Sequence, residues 1–286
     1  MIVGICRFSL LGRGDWKETR KKPTAEIAAM ADARAAMLFA PERMEARLAT
    51  FEHLTLASLK AQTDPDFTFV VLASSLMPQQ YQDRLTSLCA QVPQVVLRYF
   101  PLMSVIDAQS ATFKELGFSY ADTLQFRLDD DDCVCADYVE ILRRNTSGLM
   151  ATPQAFVASL RGVMLCAVNG RNAGVYNWPI AYYSAGAAMR NKRGSIYGYG
   201  HYKMAQLFPS LTIPRRMALV THNSTNDTRL PTDRQLRRRE MTRMTSEEIA
   251  AAQGRFFPFL TEAGKNVCGL SAAMAQANTP EAASTA

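Results

Sequence analysis

The chain has 286 residues, of which 48% are hydrophobic and 20% are charged, and its formal net charge is +6 at pH 7. This length is enough for one large domain or two small ones, each with a buried core. The positive charge favours an anionic partner, and nucleic acid, anionic lipid headgroups and a phosphorylated small molecule all meet that condition.

The cysteines and the apolar runs exclude several classes of protein. The six cysteines show no CxxC spacing, which argues against a structural zinc site or a disulfide framework and predicts reduced thiols in the core. The N-terminal MIVGICRFSL is short and carries Arg7, so we expect neither a secretion signal nor a membrane span there. No other run reaches the roughly 18 apolar residues of a spanning helix. The sequence therefore predicts a soluble, cytoplasmic protein.

In chain order, the first half alternates buried strands with helices. Short apolar runs predict strands at IVGIC (2–6), FTFVVLAS (67–74), VVLRYF (95–100) and LQFRL (124–128). Helices are predicted at 25–39 inside an irregular insertion (12–42), from Met44 to about Leu59, from 75 to 92 with Pro78 in the first turn, and at 107–118. Such a succession predicts an α/β fold with a mostly parallel central sheet flanked by helices, which binds ligands beyond the carboxyl ends of its strands.

The second half has a different texture. After a predicted helix at 137–145, apolar runs and a glycine-rich RGSIYGYGH indicate a smaller mixed sheet, followed by a helix at 201–208. No acidic residue lies between Glu140 and Asp227, although that segment contains many arginines and lysines. This half is therefore suited to attract anions. The basic stretch DRQLRRREMTR (233–243) is either a solvated helix face or a contact with anionic lipid at the inner membrane.

Four consecutive aspartates, Asp129 to Asp132, follow the strand LQFRL directly. Their charges repel one another, so the cluster requires exposure or neutralisation, for which a cation is the obvious candidate. Carboxylates one residue apart at a strand end can bind a hard divalent cation together with the diphosphate oxygens of a substrate. The alternative is that they cap the helix beginning near residue 136, which would account for one of them but not for four.

Three segments carry a resemblance to a known family. CRFSLLG, RLATFEHLTLASLKAQTDPDFTFVVLASSLMPQQYQDRL and FRLDDDDCVCADYVEILR together resemble a bacterial family of rhamnosyltransferases, with THNSTND as a weaker match further on. The resemblance implies a GT-A-like glycosyltransferase that uses a nucleotide-diphospho-sugar donor, a glycan or glycolipid acceptor, and Mn²⁺ or Mg²⁺, with no nucleic acid partner. It implies one domain over 1–270, made of a nucleotide-binding half (1–132), an acceptor half (133–230) and a helical extension (231–270). Residues 271–286 are predicted to be a disordered tail.

The resemblance also implies roles for individual residues. The DxD motif of the family matches Asp129 and Asp131 as metal ligands, with His222 as a third ligand or else a structural residue. The donor is expected to contact the following residues: Arg7, Phe8, Ser9, Ser74, Arg127, Asp129, Asp130 and Asn223. Many related enzymes have an aspartate at the end of the second strand to read the base, whereas this chain has Ala73, Ser74 and Ser75.

The catalytic residues are predicted to be His201, a candidate base at the start of its helix, and Asp132 at the strand end. A retaining mechanism, or a base elsewhere such as Asp227, is also compatible with the sequence. Two other functions compete with the glycosyltransferase. One is a metal-dependent phosphotransferase or nucleotidyltransferase that uses the same aspartates, although the chain lacks a P-loop. The other is a non-catalytic binder of an anionic polymer.

Overall fold

The computed structural model describes residues 1–12, 23–223 and 232–277, and a four-stranded parallel sheet forms the first half of the molecule. Its strands, in the spatial order β3-β2-β1-β4, are β1 (Ile2–Phe8), β2 (Thr68–Ser74), β3 (Val95–Phe100) and β4 (Leu124–Arg127). β1 pairs in parallel with β2 and β4, and β2 pairs in parallel with β3. The four predicted strands are therefore confirmed, and their carboxyl ends meet at one edge.

Helices cover both faces of this parallel sheet. They are α1 (Thr24–Leu38), α2 (Pro41–Thr50), a π-helical segment (Phe51–Leu56), α3 (Ala57–Lys60), α4 (Gln79–Cys89) and α5 (Val105–Glu115). Val3 and Ile5 of β1 pack in one buried cluster with α5, whereas Cys6 and Phe8 belong to the cluster on the opposite face. A strand buried on both faces reads as a continuous apolar run, which is why the sequence revealed it. The predicted α/β class is confirmed.

A mixed sheet continues from β4 into the second half. Its strands are β5 (Asp132–Val134), β6 (Phe156–Ala167), β7 (Gly174–Ala181), β8 (Ala187–Arg190), β9 (Ser210–Ile213), β10 (Ala218–His222) and β11 (Thr242–Arg243). β8 is antiparallel to both β4 and β6, and so joins the two halves. β6 also pairs with β10, which in turn is antiparallel to β5. This pairing brings the end of β10 beside the aspartates that follow β4.

The remaining helices fill the outside of the mixed sheet and the C-terminal region. They are α6 (Tyr138–Met150), a 3₁₀ turn (Ile196–Gly198), α7 (His201–Leu207), α8 (Asp233–Arg238), α9 (Ser246–Phe256), α10 (Glu262–Val267) and α11 (Leu270–Ala277). The amide of Ala136 donates to the carbonyl of Phe256 over 3.0 Å. Phe257 and Leu270 are buried in the same cluster as Phe8. The C-terminal helices therefore share a core with the first half.

Two segments differ from their predictions. Only Asp233–Arg238 of the basic stretch 233–243 is helical, because β11 begins at Thr242 and pairs with β7. The tail predicted to be disordered from residue 271 is instead helical in α11, which starts at the buried Leu270 and continues to Ala277. Residues 278–286 lie outside the described residues.

Across the three described ranges, no helix combines the length and the apolar character needed to cross a bilayer.

Gly4 of β1 provides a test of the packing between sheet and aromatic core. A Cβ atom at Gly4 would lie 2.4 Å from ring atoms of both Phe69 and Phe126, whereas one at Gly148 in α6 would have nothing within 4 Å. We expect Gly4→Ala to lower the free energy of unfolding by about 1–3 kcal/mol through overpacking. Gly148→Ala should raise it by about 0.5–1 kcal/mol, since Ala is the better helix former. Equal effects of the two substitutions in chemical denaturation would contradict this packing.

Candidate active site

A cavity of about 910 Å³ opens at the carboxyl ends of β1 and β4. Its walls come from the segment after β1, from α2, from the aspartates after β4, from the loop 197–201 and from the end of β10. Apart from histidines and tyrosines, the ionisable groups of this wall are five cationic side chains and four carboxylates, namely Arg7, Arg43, Arg47, Arg127, Lys203 and Asp129 to Asp132. The wall of this cavity is thus rich in charged groups, and its positive and negative charges are nearly equal in number.

The backbone of the aspartate loop is fixed by the π-helical segment. Thr55 Oγ1 lies 3.1 Å from the carbonyl oxygen of Asp129 and 2.9 Å from that of Asp132. Thr55 itself is fully buried. A single hydroxyl therefore holds both ends of the loop, and the side chains between them face the cavity.

Asp130 and Asp131 are buried against Arg47. Arg47 Nη1 forms an ion pair with Asp130 Oδ1 and lies 3.2 Å from Asp131 Oδ2. Burial raises the pKa of Asp130, and the neighbouring Arg47 opposes that rise. Breaking a buried ion pair on one side typically costs about 3–5 kcal/mol, because the other charge stays buried without compensation. Arg47 is therefore the internal counter-ion that lets this loop be buried.

Asp132 connects the loop to β10. Its Oδ1 accepts a hydrogen bond of 3.1 Å from the amide of Thr221, and only 3% of the residue is exposed. Burial, together with the charges of Asp131 and Asp129, raises the pKa of Asp132 well above its ordinary value. A carboxylate with a raised pKa is a stronger base than an ordinary aspartate. None of the four aspartates caps a helix, since α6 begins at Tyr138 with Asp137 at its N-cap.

Arg127 and His201 meet on the cavity wall, close enough to Asp129 for its charge to act on both. Arg127 Nη2 lies 2.7 Å from His201 Nε2, and the imidazole stacks on the ring of Tyr183 with centroids 6.1 Å apart. Burial, with a further contribution from the Arg127 charge, lowers the pKa of His201 to about 4. The Nε of Arg127 is buried without a hydrogen-bond partner among the described residues. His201 is therefore neutral at pH 7, and the Nε donor of Arg127 is unused in this arrangement.

A buried amide network holds the glycine-rich loop in place. Gln109 Nε2 donates to Gln125 Oε1 over 2.7 Å, and Ser195 Oγ donates to Gln109 Oε1 over 2.6 Å. Gln125 Oε1 also accepts from the amide of Ile196 over 3.0 Å. Tyr197 then extends from this loop to donate to the carbonyl of Ile5, under the guanidinium of Arg127. The loop wall is therefore built on the core of the parallel sheet.

The structure brings most of the predicted site residues together. Arg7, Ser9, Arg127, His201, His222 and the four aspartates all line the cavity. Ser9 adopts a left-handed conformation with φ of 43°, and its Oγ accepts a hydrogen bond of 3.1 Å from Arg43 Nη1. Non-glycine residues seldom adopt this conformation, which is more frequent at functional sites.

Three predicted donor contacts lie away from the cavity wall. Phe8 is fully buried and packs on Phe51 with ring centroids 5.1 Å apart, because side chains alternate along β1 and Arg7 takes the cavity face. Ser74 is also fully buried, and its Oγ accepts from the amide of Leu76 in the turn after β2. Asn223 lies beside Asn169 and does not line the cavity. Asp227, the alternative base, lies outside the described residues.

The donor set fits a divalent cation only in part. Carboxylate oxygens are the ligands that Mg²⁺ and Mn²⁺ prefer, and Asp129 and Asp131 share the cavity wall. Within the described ranges, however, no group of three His, Cys, Asp or Glu side chains converges to hold a metal ion, so the predicted set with His222 does not form such a group. The residues present would suit a cation whose remaining ligands are substrate oxygens and water, rather than one enclosed by protein alone.

The sequence reasoning missed Arg43, Arg47 and Tyr183. Arg47 lies in the apolar face of α2, three residues after Met44 and one before Leu48, and all three are buried. A charged residue inside an apolar helical stripe was the available signal, since long charged side chains are almost never fully buried without a partner. For Arg43 and Tyr183 we find no comparable signal.

Comparison with known proteins gives one family and several weak structural similarities. A family model described as "Putative rhamnosyl transferase" matches residues 1–235. No protein with curated annotation matches the chain.

Two of the similar solved structures are of S. aureus TarS. The chain is 11% identical to one of them, covering 60% of this chain and 23% of that chain with a TM-score of 0.34. It is 14% identical to TarS 1-349 in complex with UDP, and this similarity covers 42% of this chain and 33% of the TarS chain with a TM-score of 0.30. The chain thus spans at most a third of these TarS structures.

A third similar structure is that of a "Putative Glucose-1-Phosphate Thymidylyltransferase" from Bacillus anthracis in complex with a sucrose. The two chains are 12% identical, and the similarity covers 93% of this chain and 99% of the thymidylyltransferase chain, with a TM-score of 0.35.

The contact between Arg127 and His201 can be tested by NMR, because the chain has only three histidines. We expect the ring protons of His201 to titrate near pH 4. In Arg127→Gln the pKa should rise, since a cation that disfavours the imidazolium is removed, but it should stay below 6.5 because burial is the larger cause. His53, far from this contact in sequence, is the internal control. Titration of His201 near pH 6.5 in the wild type would contradict the buried arrangement.

Proposed function

Because the chain belongs to the family described as "Putative rhamnosyl transferase", we propose that it transfers a sugar from a nucleotide-diphosphate donor to a hydroxyl of a glycan or glycolipid. The family match confirms the resemblance seen in the sequence and the expectation of a glycosyltransferase. The donor sugar, with rhamnose as the first candidate, and the need for a metal are parts of the proposal.

The observation that carries this proposal is the charged cavity at the carboxyl edge of the parallel sheet. Ligands of open α/β sheets bind beyond this edge. Here four aspartates after β4 and four arginines from β1, α2 and β4 itself line one cavity of about 910 Å³, a volume that suits a nucleotide sugar. A binder of anionic polymers would gain nothing from the four carboxylates, so the cavity favours an enzyme.

The arginines are suited to the donor diphosphate. Guanidinium groups bind phosphate oxygens through paired, charge-assisted hydrogen bonds. Arg7 and Arg43 lie on the side of β1, where Ser9 orients Arg43. We assign the nucleotide to this side and the sugar to the side of Arg127, which lines the cavity beside His201.

Asp129 and Asp131 are the residues that would hold Mn²⁺ or Mg²⁺ in this proposal. A bound divalent cation supplies neutralisation of the charge that develops on the leaving diphosphate. Arg47 keeps Asp131 in place before the ligand binds, through the contact of 3.2 Å. Asp130, paired with the same arginine, supports the loop from the protein side.

The transfer itself requires one proton to be removed. The bond between the anomeric carbon and the diphosphate oxygen breaks, a bond from the acceptor oxygen to that carbon forms, and the acceptor proton passes to a base. His201 is neutral and lines the cavity, although its lowered pKa makes it a weak base. Asp132 has a raised pKa but its Oδ1 is engaged by Thr221. We retain both as candidates in an inverting reaction.

Asp131→Asn tests the role of the aspartates in donor binding. We expect the variant to bind its nucleoside diphosphate roughly tenfold to a hundredfold more weakly in the presence of Mn²⁺, because a charge-assisted contact is worth about 1.5–3 kcal/mol. Calorimetry with UDP, GDP, dTDP and their sugars, with and without Mn²⁺, measures this. Asp83→Asn, an exposed residue of α4, is the matched control.

The products distinguish the proposed enzyme from its alternatives. A transferase releases nucleoside diphosphate only as the sugar is transferred or hydrolysed. Release of pyrophosphate, or transfer of a nucleotide to a sugar phosphate, would instead establish a nucleotidyltransferase. Folded protein that binds no nucleotide with any metal would overturn the proposal.

The pH dependence of kcat identifies the base. A base acts unprotonated, so activity is present above its pKa and is lost as the pH falls through it. If His201 is the base, the acidic limb should lie near pH 4, and His201→Gln should lower kcat by about 10²–10⁴ and remove that limb. If Asp132 is the base, it is Asp132→Asn that should lower kcat by about 10²–10⁴ and remove the acidic limb. Wild-type kcat retained in both variants would exclude both residues as the base.

A further inference from the structure

A second cavity of about 540 Å³ lies between β7 and the region of α8. Trp178 and Tyr202 supply aromatic surface to its wall, and Arg238, Arg239 and Glu240 supply the charged groups. The two guanidinium groups outnumber the single carboxylate. This cavity has no role in the mechanism proposed above.

The two cavities are connected by aromatic side chains. Tyr183 and His201 line the first cavity, and Trp178 and Tyr202 line the second. The ring of Trp178 lies 5.1 Å from that of Tyr183, and the rings of His201 and Tyr202 are 6.1 Å apart, all measured between centroids. The second cavity therefore borders the wall that carries the candidate base.

The two arginines of the second cavity differ in their contacts with the rest of the protein. Arg239 lies over the ring of Trp178, with 5.3 Å between its Cζ atom and the ring centroid. The side chain of Arg238, at the end of α8, is exposed, and within the described ranges it has no hydrogen bond or ion pair. Tyr202 is 50% exposed, which leaves one face of a large aromatic ring to solvent beside these cations.

We infer that this second cavity is the acceptor subsite, and that it binds a sugar unit carrying a carboxylate or a phosphate. Aromatic faces stack on sugar rings, and guanidinium groups select carboxylate and phosphate by charge and by paired hydrogen bonds. Glu240 on the same wall disfavours a second negative charge on the ligand. The inference rests on the proposed transferase, because it places the acceptor next to His201.

Calorimetry with three defined probes tests the subsite. The probes are trigalacturonate, its methyl ester, which lacks the charges, and glucose 6-phosphate. We expect at least one charged probe to bind the wild type more tightly than the ester does, and to bind Arg238→Ala about fivefold to tenfold more weakly. Tyr202→Ala should also weaken binding, whereas Tyr202→Phe should not, since the ring remains. Arg144→Ala removes an exposed arginine of α6 and is the control for charge alone.

The outcome is separable from that of the proposed function, because nucleoside diphosphate binding is measured on the same preparations. If trigalacturonate binding depends on Arg238, the subsite recognises a sugar carboxylate. If glucose 6-phosphate binding depends on Arg238, the subsite recognises a sugar phosphate. If the nucleotide binds but no charged probe does, or if Arg238→Ala and Arg144→Ala bind a probe equally, the subsite is overturned and the transferase stands. Probe binding that depends on Arg238, without any nucleotide binding, supports an anionic sugar site and overturns the transferase.

Discussion

The arrangement of the first cavity depends on the buried ion pair between Arg47 and the aspartates. Asp130, Asp131 and Asp132 are each no more than 4% exposed, and carboxylates of like charge are not stable in that position without compensation. α2 supplies the compensating cation, Thr55 holds the backbone of the loop and Thr221 holds the carboxylate of Asp132. Three separate elements thus hold one loop, which keeps its charged side chains at the edge of the sheet.

The contact between Arg127 and His201 shows the same effect of burial on a basic group. Burial, with a further contribution from the Arg127 charge, lowers the pKa of His201 and leaves the histidine neutral. The cavity thus combines carboxylates with permanent cations and one uncharged base. A substrate with an anionic diphosphate and a neutral hydroxyl suits this combination, since each part can meet a group of suitable charge.

The sequence predicted those features that depend on neighbouring residues along the chain. Strands buried on both faces gave apolar runs, and the aspartates after β4 marked the site because four adjacent charges after a buried strand have no structural explanation. Features that depend on pairs distant in sequence were missed. Arg47 and Asp130 are 83 residues apart, and no local pattern predicts that they meet. Phe8, a predicted donor contact, directs its ring into the core, because side chains alternate along β1 and Arg7 faces the cavity.

The C-terminal helices extend this dependence beyond the segment that matches the family. The match ends at residue 235, yet α10 packs on the π-helical segment that carries Thr55. The contact is so close that a Cβ atom at Gly264 would lie 2.9 Å from the carbonyl oxygen of His53, so only glycine fits there without a shift of the backbone. Because the π-helical segment holds the aspartate loop, a displacement of α10 would be transmitted to the carboxylates. The helices after residue 245 are therefore part of the support of the site.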